Sequence, residues 1–135
     1  MTAYRWPRAF VAIAALLVAG CANFSPPPVS AGPDIVLRAY LDALVLGNCS
    51  AGKALGTIDF QRVGGGELCG ATHVKSFTIA GPAPSPFSDE VVYATNLVTT
   101  GSADGSVPAG SITWFYDLKR QADGSWRLVG GGSGP

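Results

Sequence analysis

The chain has 135 residues, nine Lys plus Arg against nine Asp plus Glu, and only 13% charged residues. That length fits one small domain. With no basic stripe to neutralise phosphates, nucleic-acid binding is excluded.

The first residues, Met1 to Arg8, carry two positive charges, Arg5 and Arg8. An uncharged apolar run from Ala9 to Ala19 follows. It falls short of the roughly 20 apolar residues a bilayer span needs. A basic head, a short apolar middle and small residues at the exit predict a secretory signal peptide over residues 1–20. Without Arg5 and Arg8, seven basic residues face nine acidic ones, a net charge of −2.

The exit, Val18-Ala19-Gly20-Cys21, resembles the bacterial lipobox. The resemblance implies that lipid is attached to the Cys21 thiol, that the leader is cut before it, and that the new amino terminus is acylated, with palmitate among the acyl groups. Two or three acyl chains anchor stably where one binds only marginally. The expected location is therefore the extracytoplasmic face of a bacterial membrane, with the membrane itself as partner through Cys21. Residues 21–32 include Pro26-Pro27-Pro28 and read as a semi-rigid tether, about 3 Å per residue if extended.

Residues 33–135 read as one α+β domain. Pro33-Asp34 opens a helix, because proline suits the first helical position and an acid there complements the dipole. From Ile35 to Leu46, Val36, Tyr40, Ala43 and Leu44 recur on one face, with Leu37 and Leu41 beside them. Arg38 and Asp42 stand four apart on the opposite side, at pairing distance. Gly47-Asn48 stops this helix, and a short helical turn is expected over residues 50–55. Residues 57–70 read as an irregular connection.

The period then changes to two. Strands are predicted over residues 74–80, 90–100, 111–120 and 126–129. The Pro-rich residues 81–86 read as non-regular, since proline lacks a ladder donor. Asp123-Gly124 supplies a hairpin turn, and Gly130 to Pro135 reads as a tail. Helices followed by four antiparallel strands give an α+β fold, one long N-terminal helix plus a short helix on one face of a curved sheet.

The segments Tyr40-Leu41-Asp42-Ala43-Leu44, Asn48-Cys49 and Ala54-Leu55, with the strand pair Ile112 to Leu118 and Asp123 to Leu128, resemble the cystatin-like, nuclear-transport-factor-two-like superfamily. The resemblance covers about residues 33–132. It implies a strongly curved sheet wrapped around helices, with a cone-shaped pocket between them.

With Cys21 assigned to lipid, Cys49 and Cys69 remain. An even remainder in an exported chain predicts a disulfide. A zinc or redox pair is the alternative, but the spacing is not C-x-x-C and His73 is the only histidine. No metal or other cofactor is expected. There is no G-x-S-x-G elbow, and neither triple-glycine run has the Lys-Ser/Thr of a phosphate loop.

The resembled superfamily includes enzymes that place an Asp or a His–Asp pair in the cone. Tyr40, Asp42, Asp59, His73 and Asp117 are the corresponding candidates, and no spacing brings two of them together. The candidate pocket residues are Tyr40, Asp59, His73, Tyr93, Trp114 and Tyr116, as an apolar ligand site or as plain core. The expected function is a non-enzymatic module for a protein partner or apolar ligand. The alternatives are an isomerase- or dehydratase-like enzyme and an envelope structural accessory.

Overall fold

The computed structural model describes residues 24–83 and 85–134. The signal peptide, the Val18–Cys21 lipobox and Cys21 itself lie outside the described residues. Three helices, α1 (Pro33–Leu46), α2 (Cys49–Lys53) and α3 (Ile58–Gln61), precede four strands, β1 (Val74–Ala83), β2 (Glu90–Thr100), β3 (Ala109–Arg120) and β4 (Trp126–Gly132). The strands form one antiparallel sheet in the order β1-β2-β3-β4. This is the α+β architecture with a four-stranded antiparallel sheet.

Helix α1 buries Val36, Leu37, Tyr40, Leu41, Ala43 and Leu44 against the sheet. Gly47 ends it with φ 70°, a left-handed conformation that glycine adopts without a Cβ clash. Arg38 and Asp42 are both exposed; among the described residues the ion pairs are Arg62–Asp59 and Lys119–Asp89. Asn48 caps α2 by accepting from the Ala51 N–H at 3.2 Å.

Three local expectations are corrected. Residues 57–70 are not wholly irregular: Thr57 accepts from the Phe60 N–H and caps the one-turn helix α3, which delivers fully buried Phe60 to the core. Residues 81–83 extend β1, with Pro82 opposite Tyr93 after a register irregularity. Proline is tolerated there because β1 is an edge strand and its missing N–H breaks no second ladder. The triple glycine 130–132 is strand rather than tail, with Gly130, Gly131 and Gly132 opposite Asp117, Tyr116 and Phe115.

The free edge of β4 is covered. The Leu128 N–H donates to the Leu55 carbonyl at 3.1 Å, and the Thr57 N–H donates to the Leu128 carbonyl at 2.9 Å. Cys49 and Cys69 form the expected disulfide, with Cα atoms 5.4 Å apart. It pins the start of α2 to the segment entering β1.

From Phe24 on, the Pro-rich segment lies against the domain. Pro26, Pro27 and Pro28 line a groove with Val36, Ala51, Leu55 and Trp126. Phe24 lines a second groove with Ala39, Asp42, Val45 and Leu46.

Candidate functional site

The interior between the helices and the sheet is filled. Tyr40, Phe60 and Tyr116 are all fully buried. Tyr40 meets the other two rings edge-on, at centroid distances of 5.5 and 5.3 Å, a favoured aromatic geometry. Leu97, Leu118 and Leu128 complete this core. The cone-shaped pocket expected from the resemblance is thus occupied by side chains, and the space left lies at its mouth.

That space is a groove of about 530 Å³ between the α3–β1 connection, the β2–β3 loop and the end of β4. Glu67, Leu68, Val107, Trp114 and Gly131 line it, with Lys53 and Gln61 also on its wall. The α3–β1 connection crosses here because two glycines permit it. A Cβ on Gly66, whose φ is 108°, would overlap the backbone of Gly131. Gly131 in turn faces the Trp114 indole nitrogen and the Tyr116 ring, 3.1 and 3.3 Å from where its own Cβ would stand. Gly66 and Gly131 therefore serve a close backbone approach.

Glu67 is fixed from two sides. Its Oε1 accepts from the Tyr40 hydroxyl at 2.8 Å and from the Cys69 N–H at 2.7 Å. The Tyr40 hydroxyl also accepts from the Leu68 N–H at 3.4 Å. Three buried polar atoms around this point have no protein partner: Glu67 Oε2, Trp114 Nε1 and the Tyr116 hydroxyl. A buried polar group left unpaired costs on the order of 1–3 kcal/mol, so each calls for a water or a ligand. The free carboxylate oxygen offers an acceptor and the indole N–H a donor.

Burial pushes the Tyr40 hydroxyl well above its ordinary range, reinforced by the neighbouring Tyr116 and the Glu67 charge. Burial likewise raises Tyr116; its Tyr40 neighbour opposes the shift, and the Glu67 charge adds to it. Both hydroxyls stay protonated at neutral pH, and Tyr40 donates its proton to Glu67.

The sequence-derived candidates separate into three groups. Trp114 lines the groove. Tyr40, Tyr93 and Tyr116 are buried core, with Tyr40 reaching the groove through Glu67. Burial raises the Tyr93 hydroxyl, and the charge of Asp34 adds to this. Asp59 and His73 do not belong to the site. Asp59 is exposed and paired with Arg62 at 2.9 Å, because the single turn of α3 that buries Phe60 turns Asp59 outward. His73 is exposed; its N–H donates to Thr100 Oγ1 at 3.3 Å and its carbonyl accepts from the Thr100 N–H at 3.0 Å. Asp117 lies on the other sheet face with Val92 and Phe115, where burial raises its carboxyl. Among the described residues no group of three or more His, Cys, Asp or Glu is placed to hold a metal ion.

Glu67 was missed by the sequence reading. Its only local signal is an acid set between a triple glycine and a disulfide cysteine. The partner that gives it meaning, Tyr40, is 27 residues away.

The chain matches no protein-family model and no curated protein. Solved structures do resemble it. A SEC-C motif-containing protein from Rhodopseudomonas palustris superposes with a TM-score of 0.58 at 10% identity, over 80% of this chain and 83% of that one. An NTF2-like protein from Cytophaga hutchinsonii gives 0.51 at 15% identity, over 73% of this chain and 93% of that one. At such identities the likeness speaks to architecture alone, and the chain has the NTF2-like fold.

Proposed function

We infer that this chain is a lipid-anchored extracytoplasmic binding module whose ligand or partner group enters the groove at Glu67 and Trp114. The observation that carries the binding reading is the pair of unpartnered buried polar atoms, Glu67 Oε2 and Trp114 Nε1, at a groove that also has apolar walls in Leu68 and Val107. Few, fixed polar groups in an otherwise apolar concavity are the usual composition of a small-molecule site. The complementary ligand is a small amphipathic molecule carrying a donor for Glu67 and an acceptor for Trp114. The anchor reading rests on the basic head, the short apolar run and Val18-Ala19-Gly20-Cys21.

Two measurements test these parts separately. In cell fractionation, Cys21→Ala is expected to move the protein from the membrane to the soluble fraction; unchanged membrane association would sink the anchor. For the groove, Trp126→Phe isolates Trp114 fluorescence in the leaderless domain, which is titrated with small amides and hydroxylated rings. Compounds that shift Trp114 emission should bind about tenfold more weakly once Glu67→Gln removes the charged acceptor. Shifts that survive Glu67→Gln undiminished would place the binding elsewhere.

The Tyr40–Glu67 hydrogen bond favours a second reading, an isomerase- or dehydratase-like enzyme with Glu67 as the proton acceptor. A positioned carboxylate is one ordinary form of such a base. Turnover abolished by Glu67→Gln with binding retained would select this reading over the first.

A further inference from the structure

The groove beside Glu67 and Trp114 holds charges of both signs that are not paired with each other. Glu67 Oε1 accepts from the Tyr40 hydroxyl at 2.8 Å and from the Cys69 N–H at 2.7 Å. Both donors are neutral, so the carboxylate has hydrogen bonds on one oxygen and no counter-cation. Its second oxygen is buried without a partner. A charge taken out of water needs an opposite charge to offset the lost hydration. Among the described residues the ion pairs are Arg62–Asp59 and Lys119–Asp89, and neither serves Glu67.

Two cations share the wall of the groove, Lys53 and Arg62. Arg62 is engaged by Asp59 at 2.9 Å, whereas Lys53 makes no ion pair among the described residues. Other polar groups there are already used. The Gln61 amide donates to the Lys53 and Gly56 carbonyls at 2.8 and 3.3 Å. The Ser106 hydroxyl donates to Asp104 Oδ1 at 2.7 Å. What is left for a ligand is a carboxylate oxygen of Glu67, the indole N–H of Trp114 and the ammonium of Lys53, beside apolar Leu68 and Val107.

This set is complementary to a zwitterion. A ligand ammonium brings Glu67 Oε2 both a donor and the missing positive charge. A ligand carboxylate brings an acceptor for the indole N–H and a counter-charge for Lys53. A neutral amide or hydroxyl satisfies the hydrogen bonds but leaves Glu67 without a counter-charge, and a charge-assisted hydrogen bond is about twice as strong as a neutral one. The groove, at about 530 Å³, is within the roughly 300–1,000 Å³ of small-molecule sites.

We propose that the groove binds a free amino acid with an apolar side chain, its ammonium on Glu67 and its carboxylate toward Trp114 and Lys53. The inference rests on the groove reading above and narrows its ligand from amphipathic molecules in general to zwitterions.

The test follows the Trp114 indole N–H by nitrogen–proton correlation spectra of the full chain in detergent micelles, the signal being assigned by its loss in Trp114→Phe. Leucine is titrated beside isocaproate, which lacks only the ammonium, and leucinamide, which lacks the carboxylate charge. Leucine is expected to move the signal and to bind about tenfold more tightly than either analogue. Glu67→Gln should remove the advantage over isocaproate, and Lys53→Met the advantage over leucinamide. The comparison of the three compounds needs no variant, so it holds even where a substitution prevents folding. Equal affinity of leucine and either analogue would overturn the zwitterion, as would an advantage over isocaproate that persists in folded Glu67→Gln. If neutral amides or hydroxylated rings move the signal and leucine does not, the zwitterion fails while the groove reading stands. A Trp114 signal moved by none of these compounds would overturn both.

Discussion

Stability is expected to fall steeply as the pH rises past the ordinary tyrosine value of 10.0. Tyr40 and Tyr116 are both fully buried, and both have hydroxyl pKa values raised by that burial. Below pH 10 the two hydroxyls are protonated in the folded and the unfolded chain, and they contribute no pH dependence. Above it the unfolded chain loses both protons while the folded chain keeps them. The folded state then binds more protons, so the free energy of unfolding decreases as pH increases, by about 1.4 kcal/mol per pH unit for each group. The two losses add, so at strongly alkaline pH they become comparable with the whole stability of a small domain. Urea titrations at successive pH values measure this slope.

The two tyrosines can be told apart. Either phenylalanine substitution should lower the alkaline slope, the remainder coming from the other buried tyrosine and from Tyr93. Tyr116→Phe removes a hydroxyl that has no protein partner, so at pH 7 it should be neutral or stabilising, by up to about 1 kcal/mol. Tyr40→Phe removes the 2.8 Å bond to Glu67 and the acceptor for the Leu68 N–H; it should destabilise by about 1–3 kcal/mol, since a buried carboxylate oxygen loses a donor. An alkaline slope unchanged in Tyr116→Phe would show that another group governs the transition.

Removing the Cys49–Cys69 bond is the second large effect. The bond closes a loop with a sequence separation of 20, for which the chain-entropy relation gives about 3 kcal/mol. The paired change Cys49→Ala with Cys69→Ala is expected to cost that much in urea or thermal unfolding. It should also loosen Glu67, whose Oε1 accepts from the Cys69 N–H at 2.7 Å. Hydrogen exchange at the Leu68 and Cys69 amides would then accelerate more than exchange in β2 and β3. A double variant with unchanged stability would remove the disulfide from the account of the fold.

Much of the fold was legible in the sequence, for physical reasons that differ between elements. Strand β3 was readable because Ile112, Trp114, Tyr116 and Leu118 alternate with Thr113, Phe115, Asp117 and Lys119, and a sheet with one packed face requires that period. Strand β2 runs over Glu90–Thr100, where Val, Tyr and Thr crowd the chain. The cysteine pair followed from counting. Where local chemistry pointed the wrong way, a distant neighbour had overruled it. Pro82 reads as a strand breaker, yet only its position at a sheet edge matters. Gly130 to Gly132 read as a tail, yet they pair with Asp117, Tyr116 and Phe115 of β3, and at Gly131 the Trp114 indole leaves little room for a side chain.

The site follows the same division. The sequence alone determined which residues have polar chemistry to offer, which pair of cysteines remained, and that the chain alternates into a half-buried sheet. Those properties are set by composition and period, which are local. Only the tertiary structure decided that Tyr40 and Tyr116 fill the cone, that Asp59 and His73 face solvent, and that Glu67 joins Trp114 at the groove. Tyr40 meets Glu67 across 27 residues, and Gly66 meets Gly131 across an even longer stretch of chain. Such contacts depend on where the α3–β1 connection crosses the sheet, and that is not encoded in the spacing of any single segment.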